Sequence, residues 1–528
     1  MARNEKSNKW GVPGAVVIFL PLLFFLWLIS TDVNTTTLYK GLNYGSNQTS
    51  TPSNNNYLHE LIPSNFDNES CLSRFEWPLF RKSSPYMPSS YLLQKLRNYE
   101  TLHKKCGPNT PLYQKSIQQL NSGHSIESME CNYVVWIPLA GLGNRMLSLI
   151  STFFYAIITN RVMLIQLTDE LVDLFCEPFP DTSWILPPDF PIKNLDKFDV
   201  NSNVTYGNML DKHVIISNHS YNTKVESLPS YVYVYLVDNY RTSDMMFFCN
   251  DDQIVLGKVN WLLLKSDLYF LPSLCSSTPM FEEELGRLFP AKESVFYLLA
   301  HYLIHPSNNV WGLVRRYYMS YLAKADEKIG IQVRVFWFAK VSSDVIFQQI
   351  LKCAKMENVF PELDSNGTKF IETDEQKPSK AILVASLYAS YYEKFKSMYY
   401  EHSVKTGELV SVYQPSHEEK QNTENQSHNQ KALAEIYLLS LCDVLMTSGW
   451  STFGYVSSGL AGIKPLILMP VWHKKVAEMP CVREASMEPC NLSPTKVRCK
   501  GKIIIEKERL QQYVKQCPDI DDGIKLFD

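Results

Sequence analysis

The run from Tyr133 to Leu167 restricts the fold more than any other stretch of the chain. YVVWIPLA (133–140) is a short run of β-branched and aromatic residues, the pattern of a buried strand. Gly141-Leu142-Gly143-Asn144-Arg145 makes a turn. MLSLISTFFYAIITN follows as an amphipathic helix, and RVMLIQL (161–167) as a second strand. A strand–turn–helix–strand unit forces a parallel pair with a right-handed crossover. Its turn offers free backbone N–H groups and a helix dipole to an anion or a hydroxyl. Met146 stands where a dinucleotide fingerprint places its third glycine, which argues against hydride chemistry with a nicotinamide. Glycines alone could serve only the strand-to-helix geometry. Asn144 and Arg145 at the helix mouth tip the reading toward a ligand.

A second module of the same kind begins near Ile329. KIGIQVRVFWF (328–338) reads as a strand with Arg334 inside it. A guanidinium in an apolar strand is costly unless paired, because it cannot shed its charge. Its fork suits a diphosphate or a carboxylate. An internal salt bridge or an outward-facing position would serve equally well at this stage. Strands follow at 381–387, 408–413, 443–447 and 464–469, with helices at 391–400 and 429–442. This alternation predicts a second parallel, doubly wound sheet. Ser448 to Phe453 form a turn at the carboxyl end of a strand and the start of a helix, where open α/β sheets bind ligands. One hydroxyl suffices for an N-cap. Ser448, Ser451 and Thr452 supply three, enough to cradle an anion. Residues 170–300 carry no comparable code and are expected to supply loops.

Other chemistries lack their motifs. There is no phosphate loop of the G-x-x-x-x-G-K-[ST] type, no G-x-S-x-G and no H-E-x-x-H. The one D-x-D, Asp519-Ile520-Asp521, lies in the polar tail and reads as a solvated turn. His301 and His305 read as structural histidines. The formal net charge of −3 leaves no field to attract nucleic acid.

The ends of the chain speak to location. GVPGAVVIFLPLLFFLWLI (11–29) contains no charge. At ~1.5 Å per residue it nearly spans a ~30 Å hydrocarbon core. Arg3, Lys6 and Lys9 precede it, so the positive-inside rule keeps the N-terminus in the cytosol. The run exceeds a signal-peptide core, and no A-x-A-like site follows it. Residues 31–70 are rich in Ser, Thr and Asn and read as a flexible stem. N-glycosylation sequons stand at Asn34, Asn47, Asn68, Asn203, Asn218, Asn366, Asn425 and Asn491. Cys481, Cys490, Cys499 and Cys517 lack zinc spacing and fit disulfides of an oxidising lumen, with pairing left open.

These motifs resemble those of the plant xyloglucan-type fucosyltransferases, the galactoside 2-alpha-L-fucosyltransferases of glycosyltransferase family 37. The resemblance rests on GLGNRMLSLISTFFYAIITNRVMLI (141–165), FFCNDDQ (247–253), LIHPSNNVWGLVRRYY (303–318), GIQVR (330–334), YQPSHEE (413–419), the run from Lys431 to Leu468, and SMEPC (486–490). It implies a GT-B-like α/β fold, two Rossmann-type doubly wound parallel sheets facing a cleft, behind an N-terminal transmembrane helix. It also implies a single-pass type II Golgi membrane protein with its catalytic body in the lumen. GDP-fucose would be the donor, no metal would be required, and fucose would be transferred with inversion to galactose in alpha-1,2 linkage.

By residue, the resemblance implies that Arg334 holds the diphosphate and neutralises it as it leaves. Ser448, Ser451, Thr452 and Phe453 would line the nucleotide, and Asn144 and Arg145 would face the cleft from the acceptor side. Related enzymes often have His where Gln332 stands, so roles tied to that His do not carry over, and no catalytic base is assigned. The expected organisation is a cytosolic tail (1–10), a signal-anchor (11–30), a stem (31–70), an acceptor-side Rossmann-like domain (71–325), a GDP-fucose-side Rossmann-like domain (326–480) and a Cys-rich segment (481–528). The expected partners are a galactose-ended cell-wall polysaccharide or proteoglycan, such as xyloglucan or arabinogalactan, the Golgi membrane and, as an option, a second copy of the chain. The competing reading is a catalytically silent, membrane-anchored glycan- or GDP-binding protein on the same fold.

Overall fold

Four apolar runs form the first parallel sheet: β1 (Asn132–Ile137), β2 (Arg161–Ile165), β3 (Tyr231–Leu236) and β4 (Trp261–Ser266), in the order β2-β1-β4-β3. In β1, Val134 and Trp136 point into one core cluster and Tyr133, Val135 and Ile137 into another. Burial on both faces explains a continuous apolar run where an exposed strand would alternate. Helix α1 (Leu142–Thr159) leads from β1 to β2. β3 and β4 fall within 170–300, where the expected loops are replaced by two buried strands of the sheet. The computed structural model describes residues 60–528 except 68, 82–83, 218–222, 238–240, 365–376, 472–475, 496–497, 500–501 and 504–509. The expected tail, anchor and most of the stem lie outside the described residues, as do Asn34, Asn47, Asn68, Asn218 and Asn366. Among the described residues no helix is long and apolar enough to cross a membrane.

The second sheet has six strands: β5 (Glu327–Val333), β6 (Ser379–Ser386), β7 (Leu409–Tyr413), β8 (Val444–Ser448), β9 (Leu466–Leu468) and β10 (Cys481–Arg483). Their order is β10-β9-β8-β5-β6-β7, with only β10 antiparallel. The chain runs outward from β5 to β7, then returns to the other side of β5 as β8. That reversal opens a crevice at the carboxyl ends of β5 and β8. β5 ends at Val333, so Arg334 is the first residue beyond the strand and not inside it. There the Arg334 N–H leaves the ladder and donates to Ser448 Oγ at 2.9 Å.

Helices tie the two sheets into one body. Besides α1 these are α2 (Val295–Leu303), α3 (Asn308–Tyr317), α4 (Gln426–Ser440) and α5 (Thr452–Ala461). α4 packs on α3, and α5 packs on α1 and α2. Phe153, Leu299, Leu433, Val456 and Leu460 therefore share a single hydrophobic cluster. Each such side chain contributes ~1.5–3 kcal/mol on burial, which fixes the loops at the carboxyl ends of β1 and β8 against each other.

Ten cysteines form five disulfides: Cys71–Cys176, Cys106–Cys131, Cys249–Cys499, Cys353–Cys481 and Cys490–Cys517. All four cysteines near the C-terminus are thus covalently paired, as their spacing suggested. The same tail corrects one expectation. Asp519 is not in a solvated turn: it is 4% exposed and accepts from the Trp450 N–H at 2.8 Å and from the Tyr455 hydroxyl. Only Asp521 of that motif faces solvent.

Candidate functional site

A cavity of about 300 Å³ lies at the crevice between the two sheets, at the lower end of the ~300–1,000 Å³ typical of ligand pockets. It brings together Gly141 to Asn144 from the loop after β1, Gln332 to Arg334 at the end of β5, and Trp450 to Phe453 at the start of α5. Gly141 to Asn144 and Trp450 to Phe453, more than 300 positions apart in the chain, meet here because α5 packs on α1.

The two loops are built alike. Each helix is entered through a non-glycine residue in the left-handed region, Ala140 (φ 64°) before α1 and Trp450 (φ 62°) before α5. Such residues cost ~1–3 kcal/mol and concentrate at ligand sites. The N-cap of α1 is Gly141, and the N-cap of α5 is Ser451, whose side chain makes no capping hydrogen bond. Both first turns therefore keep unsatisfied N–H groups, and both helix dipoles turn their positive ends to one place. Gly143 makes the approach possible. A Cβ there would stand 2.7 Å from Thr452 Oγ1 and 2.8 Å from the Phe453 nitrogen.

Arg334 adds a full positive charge. Among the described residues no carboxylate pairs with it; its Nη2 donates to the neutral Gln421 Oε1 at 2.7 Å, and its guanidinium carbon lies 5.6 Å from the centroid of the Phe336 ring. Burial pushes the guanidinium below its ordinary pKa, but an arginine stays charged. A half-buried cation without a counter-charge, facing two helix N-termini, makes an anion site.

The three hydroxyls divide their work. Ser448 Oγ accepts from the Arg334 N–H and donates to the Gln332 carbonyl at 3.3 Å. Ser448 therefore braces β8 against β5 and does not line the main cavity. Thr452 Oγ1 donates to Asn144 Oδ1 at 2.9 Å, while Asn144 Nδ2 donates to the Asp267 carbonyl at 2.9 Å. Ser451 and Phe453 line the cavity. Arg145 departs from expectation. Its side chain turns away from this cavity, because one residue along a helix is a rotation of ~100°. It is 7% exposed, with Nη1 3.0 Å from Glu170 Oε1.

Sequence reasoning gave no role to the segment 416–435, which closes the cavity with Ser416, Glu418, Gln421, His428, Asn429 and Glu435. The signal available was the polar, breaker-rich run ahead of α4. Burial pushes the Glu435 carboxyl up to about 8, even though the Ser416 hydroxyl donates to it at 2.5 Å. It is mostly neutral at pH 7. Glu418 pairs with Lys431, which holds it below the usual carboxylate range.

The remaining candidates are settled by burial. His301 bonds the Leu460 carbonyl at 3.0 Å through Nε2 and packs on Trp77, and His305 is also buried, so neither reaches the cavity. Asn203 and Asn425 are exposed. Asn491 is 0% exposed and donates to Ser273 Oγ at 2.7 Å; the fold offers no room for a glycan there, which corrects that sequon.

Comparison with known proteins identifies the family. Residues 31–500 match the family model described as xyloglucan fucosyltransferase. A galactoside 2-alpha-L-fucosyltransferase of Pisum sativum is 46% identical over 501 residues, covering 94% of this chain and 86% of that one. One from Arabidopsis thaliana is 48% identical over 472 residues, covering 89% and 82%. A mutant of Arabidopsis thaliana FUT1, solved in complex with GDP, superposes with a TM-score of 0.81 at 47% identity, covering 89% of this chain and all of that one. The chain belongs to the xyloglucan fucosyltransferase family.

Proposed function

We propose that the chain transfers L-fucose from GDP-fucose, with inversion, to a galactose in alpha-1,2 linkage on a cell-wall glycan such as xyloglucan or arabinogalactan. One observation carries the reading: Arg334, with no carboxylate partner among the described residues, faces the paired N-termini of α1 and α5 across a cavity that can take a nucleotide diphosphate. An acceptor hydroxyl oxygen bonds to the fucose anomeric carbon, and the bond from that carbon to the phosphate oxygen breaks. GDP leaves with the electron pair, and the hydroxyl proton passes to water or phosphate. The guanidinium and helix N–H groups stabilise charge where it develops, on the departing diphosphate. Of the two carboxyls lining the cavity, Glu418 is engaged by Lys431 and Glu435 by the Ser416 hydroxyl, so neither is free to take the acceptor proton. That favours a loose, oxocarbenium-like path in which the leaving group carries most of the barrier. On this reading the positive charge comes from the protein and no metal is needed.

The sequence supports the rest of the proposal. Residues 1–10 form a cytosolic tail, 11–30 a Golgi signal-anchor and 31–70 a stem. Residues 71–325 serve the acceptor and 326–480 the donor, with 481–528 as a Cys-rich brace.

Incubating the full chain in detergent with labelled GDP-fucose and a panel of galactose-ended polysaccharides tests this, with and without a chelator. Labelled polymer and stoichiometric GDP are expected, equally in both conditions. GDP binding with no release on any acceptor would favour a silent binding protein. Loss of turnover with chelator, restored by a divalent cation, would overturn the metal-free part.

A further inference from the structure

Three N-glycosylation sequons lie wholly among the described residues, at Asn203, Asn425 and Asn491, and the fold treats them differently. An attached oligosaccharide is bulky and has to stay in solvent once the protein has folded. Asn491 is sealed in the core. Asn203 is exposed, but its Oδ1 accepts from Lys212 Nζ at 2.5 Å, and Thr205 of the same sequon is fully buried as the N-cap of the short helix Tyr206–Asp211. In Asn425-Gln426-Ser427 both the asparagine and the serine are exposed.

Asn425 is also the N-cap of α4. Its backbone is extended (φ −110°, ψ 119°), and its Oδ1 accepts from the His428 N–H at 2.9 Å. Its Nδ2 donates to no group among the described residues. The two ends of a side-chain amide can therefore divide their work: the oxygen accepts and the nitrogen donates. A sugar on Nδ2 replaces one N–H bond and leaves the lone pairs of Oδ1 untouched. The cap needs only that oxygen, so it survives the modification.

The position gives the site its meaning. Gln421 and Thr423 before Asn425, and His428 and Asn429 after it, line the nucleotide cavity, whereas Asn425 itself does not. The same segment bridges to the loop after β2. Gln426 Nε2 donates to the Val172 carbonyl at 2.8 Å, and Asn429 Nδ2 to the Glu170 carbonyl at 3.3 Å. Asn425 thus faces solvent from the outer side of the cavity wall, at the seam where that loop meets the start of α4.

We propose that Asn425 carries an N-linked glycan, which stands at the rim of the nucleotide cavity and leaves its interior free. This rests on the lumenal placement proposed above, because the sugar donor, a lipid-diphosphate-linked oligosaccharide, is used in the secretory lumen. In the transfer, Nδ2 bonds to the anomeric carbon of the oligosaccharide, and the bond from that carbon to the lipid diphosphate oxygen breaks. The diphosphate leaves with the electron pair, and one Nδ2 proton passes to a base of the cellular transferase.

The test uses the full chain, produced in a plant secretory system and purified in detergent. Release of glycans in heavy-oxygen water, by a peptide amidase that accepts plant glycans, leaves a labelled aspartate wherever a glycan stood. Peptide mass spectrometry is expected to find label at position 425 in most chains and none at 491. Ser427→Ala destroys the sequon and keeps the cap, Ser427→Thr keeps both, and Asn425→Asp keeps a capping oxygen without a sequon. Ser427→Ala and Asn425→Asp should each lose the mass of one glycan, and Ser427→Thr should not. GDP affinity by calorimetry should stay within threefold of wild type in all three. Absence of label at 425 while Asn203 or a stem sequon is labelled would overturn the inference. A tenfold loss of GDP affinity in Ser427→Ala would overturn the placement at the rim. Absence of label at every sequon would instead overturn the lumenal reading, and this inference with it.

Discussion

Thr452 Oγ1 donates to Asn144 Oδ1 at 2.9 Å, joining two residues 308 positions apart in the chain. Asn144 is in turn oriented by its bond to the Asp267 carbonyl. This short chain of hydrogen bonds runs from the loop after β4 through the first turn of α1 to the first turn of α5. It holds the two positive helix ends at one cavity, an arrangement unfavourable by itself and favourable once an anion sits between them.

That bond sets the first prediction. In a cycle of Asn144→Ala, Thr452→Val and the double variant, each single change should weaken GDP binding. The double variant should lose less than the sum, with a coupling of about 1 kcal/mol. Calorimetric titration with GDP measures it, and full additivity would remove the bond from nucleotide binding.

Gly143→Ala probes the helix approach. Its Cβ would meet backbone atoms of Thr452 and Phe453 at 2.8 Å, and backbone cannot swing aside as a side chain can. Overpacking of this kind costs ~1–3 kcal/mol, so we expect a lower melting temperature together with GDP affinity reduced at least tenfold. A variant with native affinity would show that the helix ends need not be this close.

Arg334→Lys keeps a positive charge but loses the planar fork, and should lower turnover by at least ~10²-fold, by analogy with oxyanion donors. Gln421→Ala removes only a neutral partner that orients the fork. A neutral hydrogen bond contributes ~0.5–1.5 kcal/mol, so turnover should fall by less than ~20-fold. Steady-state rates on one acceptor rank the two, and the reverse order would refute the assigned roles.

The buried acids and histidines predict the pH dependence of stability. Burial raises the folded pKa of Glu435 and Glu488 to about 8. Their contribution is full below the ordinary carboxyl range and is lost as pH rises toward 8. Burial lowers His103 to about 4 and His301 to about 3, so their contribution is full above pH ~6.5 and is lost as pH falls. Denaturation midpoints should therefore be highest at mildly acidic pH and decline on both sides. Glu435→Gln should flatten the alkaline decline. A midpoint that rises from pH 6.5 to 8 would contradict these environments.

The chain's own order of residues was enough to reveal two strand–turn–helix modules, the glycine and hydroxyl turns that open their helices, and the singular position of Arg334. These are local facts: a short β-branched run, a residue free to turn, and an amphipathic period each act over a few residues. Tertiary packing decided the rest. Whether Asn144 or Arg145 would face the crevice depended on the rotation of α1 against α5. Ser448 became a brace because β8 pairs with β5, and Asp519 left solvent because the C-terminal tail folds back under Trp450. Glu435 joined the site because α4 packs across α3 and α5. Such contacts join residues tens to hundreds of positions apart, and their geometry is set by how whole faces bury together, which local periodicity does not encode.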